Sequence, residues 1–316
     1  MFFTISVLQW KIFMQDSNRS QRRTKWWHWP ARFLLILIPL EIILPFVPVP
    51  GEYEAGIFYA NSYRERLFLS KHSGRTDYNS KGYRDIEWPL TTKQKRIAFM
   101  GDSRVFGHYV RSHQTFSTYI RHNSNYDTMN FGFPGASIYE ASDFIVDDVI
   151  SYKPQIAVMC YDINSSLYSI VKRNQSGSRH NVPLNLIRTL LSYRWLERFF
   201  YQVTQGTQPV LELDEYDALL IKSINRLQEQ NIEVVLLIGW AFLDDVPGLF
   251  TNDRYREFQK STVEIGNKKK LKVIQMTKVL QRQKNMNDLL IGFERMHLSE
   301  SGHQFAGKHI LRVLSE

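Results

Sequence analysis

Arg96-Ile97-Ala98-Phe99-Met100-Gly101-Asp102-Ser103 is the stretch on which the architecture of this chain turns. Four successive apolar residues need cover on both faces, the habit of a buried strand in a parallel sheet. Gly101-Asp102-Ser103 then breaks the run, and Asp and Ser are residues that favour a helix N-cap. A serine at such a sharp strand-to-helix turn is exposed, with its hydroxyl close to the backbone amides that open the helix. The same residues suit an ordinary cap equally well, so this segment alone does not separate a nucleophile from a capping residue.

Outward from that stretch, short apolar runs alternate with amphipathic segments. With 97–100, the runs at 128–133, 155–161, 232–238 and 271–275 make five strand candidates. Helical periodicity falls at 138–151, 184–203, 213–230, 253–268 and 300–314. The alternation predicts an α/β fold, a doubly wound, flavodoxin-like five-stranded parallel sheet over 95–316, with functional residues just beyond the carboxyl ends of its strands. Residues 51–94 lack a clear period and are expected to form a linker and lead-in segment.

The amino-terminal part has a different character. From Phe33 to Val47 the chain is almost continuously apolar, preceded by Trp26, Trp27 and Trp29 and by Lys11, Arg19, Arg22, Arg23, Lys25 and Arg32. Tryptophans at the edge of an apolar run, next to a basic flank, mark a membrane interface. A transmembrane or membrane-anchoring helix is therefore expected at 31–50, although Pro39, Glu41 and Pro45 interrupt it. Basic residues before the run and Glu52 and Glu54 after it predict a cytoplasmic 1–30 segment and an extracytoplasmic 95–316 domain on an uncleaved single-pass anchor. Met14, followed by a polar basic stretch, also resembles a start, which would make residues 1–13 an upstream extension.

Composition excludes several classes. An apolar fraction of 43% across 316 residues is ample for a packed core and excludes global disorder. The net charge of +9 lacks zinc-finger spacing or an RNA-binding signature to accompany it, so no nucleic-acid partner is expected. Cys160 is the single cysteine and cannot form an intrachain disulfide; within an apolar run it is expected to be a small core hydrophobe.

Three further segments bear on chemistry. Asn130-Phe131-Gly132-Phe133-Pro134-Gly135-Ala136-Ser137 follows the second strand candidate, and Gly135 there would let the backbone approach a substrate closely, or serve a plain Pro-Gly turn. Tyr161-Asp162-Ile163-Asn164-Ser165 follows the third. Near the C-terminus come Glu294-Arg295-Met296-His297-Leu298-Ser299, then Gly302 and His303. A carboxylate three residues before a histidine can hold the imidazole tautomer and stabilise the imidazolium. His303 and His309 fit a solvent-exposed histidine better than His297 does.

Taken in order, these segments resemble the blocks of the SGNH (GDSL-type) esterase and acyltransferase family, in a membrane-anchored form. Gly101-Asp102-Ser103 matches the first block, the glycine-bearing turn the second, the Asn164 segment the third, and Glu294 to His297 the fifth. Asn79-Ser80-Lys81-Gly82-Tyr83-Arg84-Asp85 also resembles a lead-in found in some anchored members. The resemblance implies Ser103 as nucleophile, His297 as base and Glu294 as the carboxylate orienting it. It further implies an oxyanion hole from the amides of Ser103 and Gly135 and the side chain of Asn164. Neither a metal nor an organic cofactor is required.

This sequence departs from the family at three positions. Asp162 stands where a glycine is usual, Ser165 where an aspartate is, and Glu294 where an aspartate is. The implied function is a serine esterase or O-acyltransferase acting on esters, O-acetyl foremost, of cell-envelope glycans or lipids. The alternative is a non-catalytic envelope glycan-binding protein on the same scaffold. A lipase facing bulk lipid is disfavoured, because no second long apolar surface segment is present.

Overall fold

The apolar runs become strands, four of them buried on both faces and the last, Lys272–Gln275, only partly buried. The computed structural model describes residues 48–49, 53–54, 77–166, 168–169, 208–209, 211–242, 252–292 and 295–316. The five central strands are β1 (Lys95–Gly101), β2 (Tyr126–Gly132), β3 (Ile156–Cys160), β4 (Glu233–Ile238) and β5 (Lys272–Gln275). They pair in parallel in the order β2-β1-β3-β4-β5, with Phe99 beside both Asn130 and Val158. The predicted parallel sheet is thus observed, with strand ends within two residues of the expected limits.

Side chains alternate across a strand, so each strand feeds two cores. Ala98, Met100, Met129, Phe131, Met159 and Leu236 lie on one face. Ile97, Phe99, Val158, Cys160, Val235 and Leu237 lie on the other, where Phe116, Ala306 and Ile310 cover them. Cys160 is fully buried as expected of a core hydrophobe, and burial pushes its thiol well above the ordinary value.

Helical segments expected at 138–151, 213–230, 253–268 and 300–314 are present at Ile138–Ser151, Leu213–Glu229, Asn252–Lys268 and Glu300–Ser315. The first includes a π-helical turn at Ala141–Ile145. Short helices at Phe116–His122 and Met276–Gln281 were not foreseen. The expected helix at 184–203 lies outside the described residues, as does the proposed anchor at 31–50 except for Pro48–Val49. Those two residues pair antiparallel with Tyr53–Glu54. Among the described residues no helix is long and apolar enough to cross a membrane.

Strand order reverses direction between β1 and β3, the switch point at which open α/β sheets form their crevice. A buried ion cluster locks that point. Asp102, directly after β1, accepts from the Arg104 amide at 2.9 Å, while the Arg104 guanidinium folds back onto it through Nε (3.0 Å) and Nη2 (2.7 Å). The same Nη2 donates to Asp162, just past β3, at 2.5 Å. The second oxygen of Asp162 accepts from the Gly239 amide at 3.1 Å, just past β4, and from Gln259 at 3.2 Å. All three charged side chains are 0–1% exposed. Gly239 is required here, because a Cβ on it would lie 1.8 Å from Arg104 Nη1.

Two predictions follow from buried titratable groups. Removing the one cation between two buried carboxylates leaves uncompensated charge, so Arg104→Met should cost about 3–5 kcal/mol in denaturant unfolding; a loss within the ordinary range for a surface substitution would contradict the cluster's role. His303 is stacked on Phe116 and accepts its amide through Nδ1 at 3.3 Å. Desolvation first, then the neighbouring Arg84 and His297, push its pKa down to about 3 from 6.5. Below the unfolded value the unfolded chain gains a proton that the native state refuses, so this contribution is full above about pH 6.5 and is lost as pH falls toward 3. In His303→Asn, the loss of stability between pH 7 and pH 4.5 should be smaller than in wild type by about 2–3 kcal/mol. Equal acid losses in the two proteins would count against a neutral buried His303.

Candidate active site

Ser103 opens the four-residue helix Ser103–Phe106, with Asp102 as its cap and Gly107 closing it. The amides of Gly107 and His108 both donate to the Ser103 carbonyl at 3.0 Å, so the turn is tight and the serine stays partly exposed at its tip. Asn130, at the end of β2, donates through Nδ2 to the Val105 carbonyl at 3.0 Å and fixes the helix from the other side.

His297 arrives from the far end of the sequence. It lies in a loop between Leu290 and the helix Glu300–Ser315, held by the amide of Ile291 on its carbonyl at 2.8 Å and by an antiparallel bridge between Leu290 and Leu298. Ser299 caps that helix by accepting from the Gly302 amide at 3.2 Å. His297 is 6% exposed, and its Nε2 is 2.7 Å from Ser103 Oγ. The structure therefore joins two residues 194 positions apart that the sequence singled out separately.

The other expected site residues divide. Gly135 sits at φ 74 in a Phe133-Pro134-Gly135-Ala136 turn closed by the Ala136 amide on the Phe133 carbonyl at 3.0 Å. That is a type II turn, whose third position favours glycine. Asn164 lies in the short helix Asp162–Ser166 directly after β3. Glu294 lies outside the described residues. Ser165, where the resembling family has aspartate, is fully buried; its hydroxyl donates to the Tyr161 carbonyl at 2.5 Å and accepts from the Ile138 amide at 3.0 Å. It ties the Asn164 helix to the helix that follows the Gly135 turn.

Several contributors were not foreseen. Asp162 reads in sequence as a departure from a glycine; in space it is the partner of Arg104, and the same oxygen accepts from the Ile163 amide at 2.9 Å. The only hint was the coincidence of an arginine directly after the serine with a carboxylate at the glycine position. His303 was expected to be exposed and is instead 1% exposed, because it faces Phe116 from inside the last helix rather than from a loop.

The lead-in motif is also packed onto the domain. Asp85 accepts from Arg121 (2.8 Å), from the Asn130 amide (2.9 Å) and from Trp88 Nε1 (2.9 Å). Tyr83 donates to Asp148 at 2.6 Å.

No protein-family model and no curated protein matches this sequence. Solved structures do. A G-D-S-L family protein from Desulfitobacterium hafniense DCB-2 superposes with a TM-score of 0.50 at 14% identity, over 69% of this chain and 99% of that one. A lipase/acylhydrolase from Enterococcus faecalis superposes with a TM-score of 0.50 at 16% identity, over 69% of this chain and 94% of that one. At such identities the likeness is one of fold: this chain has the α/β fold of the GDSL-type hydrolases.

Proposed function

We propose that the protein is a serine ester hydrolase or O-acyltransferase that works through an acyl-enzyme on Ser103. The observation that carries this reading is the 2.7 Å contact between Ser103 Oγ and His297 Nε2 at the carboxyl end of a parallel sheet. A hydroxyl becomes a useful nucleophile when a base within hydrogen-bond reach removes its proton, and this geometry supplies one.

In the proposed reaction, Ser103 Oγ bonds to the ester carbonyl carbon as its proton passes to His297. The carbonyl oxygen, now an anion, is held by the amides of Ser103 and Gly135 and the side chain of Asn164. Glu294 orients the imidazole. Collapse breaks the carbon–alkoxide bond, and His297 returns its proton to the leaving alcohol. Water or a second alcohol then releases the acyl group by the reverse sequence, which separates an esterase from a transferase.

The substrates we favour are esters, O-acetyl foremost, of cell-envelope glycans or lipids. Support for that placement comes from the basic flank, tryptophans and apolar run of 11–47, the pattern of an anchored chain with its catalytic domain outside the cytoplasm. The rival reading, a non-catalytic glycan-binding protein, draws its support from the altered third block, with Asp162 in the glycine position and Ser165 in the aspartate position, and from Glu294 in place of an aspartate. The pairing with Arg104 accounts for Asp162 without loss of the Ser103–His297 contact.

Turnover of a small aryl acetate tests the proposal. Ser103→Ala and His297→Ala should each lower kcat by roughly 10⁴-fold or more, with the double variant scarcely worse, because the two act as a unit. Asn164→Ala should cost roughly a hundred- to a thousand-fold, and Glu294→Ala less than loss of the serine or histidine. Full turnover by a folded Ser103→Ala protein would overturn Ser103 as the nucleophile, whereas a folded wild type that turns over no ester would leave the binding-protein reading standing.

A further inference from the structure

The turn after the nucleophile helix carries a backbone that acyl transfer, as described, leaves unexplained. Tyr109 has φ 70, a left-handed conformation that costs a bulky residue about 1–2 kcal/mol. It is gripped from both sides. Buried Arg84, from the lead-in motif, donates through Nη1 to the Gly107 carbonyl at 3.1 Å and through Nη2 to the Val110 carbonyl. Its guanidinium packs over Phe106 at 4.6 Å, and Asp77 balances its charge at 3.3 Å. One cation thus fixes the residues on either side of His108 and Tyr109. Strain kept by surrounding structure is a reason to look for function.

The gripped pair faces the base. The His108 ring lies 4.8 Å from that of His297, and the Tyr109 ring meets His297 edge-on at 5.5 Å. His108 is buried, and desolvation, with His297 and Arg84 nearby, pushes its pKa down to about 3. A ring that stays neutral does not draw the proton away from the base. Tyr109, unlike His108, keeps part of its surface exposed.

Chemistry identifies which part of a substrate meets that surface. His297 must give its proton to the leaving alkoxide and later take one from the incoming hydroxyl, so the alcohol oxygen lies within reach of Nε2. The acyl carbon is bonded to Ser103 instead. Groups packed on the imidazole therefore border the alcohol side of the ester. We infer that Tyr109 is a specificity-determining residue that receives the alcohol portion of the ester and favours a ring-bearing alcohol, such as a sugar, that packs against its aromatic ring. This rests on the acyl-transfer reading and adds which half of the substrate is selected. Aromatic rings supply such contact area with few rotatable bonds to order.

The test uses the full chain and esters that share one acyl group. Hydrolysis of ethyl acetate is compared with that of cyclohexyl acetate and of a monoacetylated methyl glucoside. Tyr109→Gly removes the ring and accepts φ 70 without strain, which protects the fold. In that variant the ratio of kcat/KM for the ring-bearing esters to that for ethyl acetate should fall about tenfold, mainly through KM. Tyr109→Phe should retain the wild-type ratio, and the acetate-to-butyrate ratio for one alcohol should not move. An unchanged alcohol ratio in Tyr109→Gly overturns the inference while wild-type turnover leaves acyl transfer in place. A shift in the acyl ratio instead of the alcohol ratio also overturns it, by placing Tyr109 against the acyl group. A wild type inert toward every ester removes both readings together.

Discussion

Arg104 between Asp102 and Asp162 is the contact on which the rest of the crevice depends. Burial alone would lower the guanidinium's proton affinity; the two carboxylates reverse that and hold its pKa well above the ordinary value. A buried ion pair is weak grounds for high stability, since desolvation can consume most of the Coulombic gain. What it provides is register. With Asp102 after β1, Asp162 after β3 and the Gly239 amide after β4 all bonded into one cluster, the carboxyl ends of three strands cannot shift independently. Ser103 stands between two members of that cluster in sequence, so its direction is inherited from the cluster.

The same constraint explains why an aspartate is tolerated where the resembling family has a glycine. A lone buried carboxylate at the start of the Asp162–Ser166 helix would be costly. Here one oxygen meets Arg104 and the Ile163 amide, and the other meets the Gly239 amide and Gln259, so its acceptor sites are filled. Ser165 then joins that helix to the Ile138 amide, below the turn that carries Gly135. The helix of Asn164 and the turn of Gly135 are thus braced against each other and against the turn that carries Ser103. In the proposed reaction, that bracing would fix the backbone of both segments before an oxyanion develops.

How much of this was legible in the sequence depended on the range of the interaction. Apolar runs such as 97–100 and 155–161 report burial on both faces directly, and the five-stranded sheet could be drawn from them. Ser103 and His297 could be singled out because each sits in a short motif, although their contact spans 194 positions. Long-range polar pairs were not legible. Nothing local to Asp162 announces Arg104, and nothing local to Arg84 announces the carbonyls of Gly107 and Val110. His303 misled because a polar residue in a sequence is taken to face water until the ring stacked on it is known. The helix Phe116–His122 is too short for a periodic pattern to stand out.

The central claim is that Ser103 is a nucleophile with His297 as its base. A fluorophosphonate tests it before any substrate is known, since it phosphonylates an activated serine and leaves an ordinary capping serine untouched. The full chain is treated with the reagent beside Ser103→Ala and His297→Ala, and the modified peptide is mapped by mass. Modification of the wild type at Ser103, absent in Ser103→Ala and strongly slowed in His297→Ala, is the predicted result. A folded wild-type protein that stays unlabelled at Ser103, under conditions in which an authentic serine esterase is fully labelled, would contradict it.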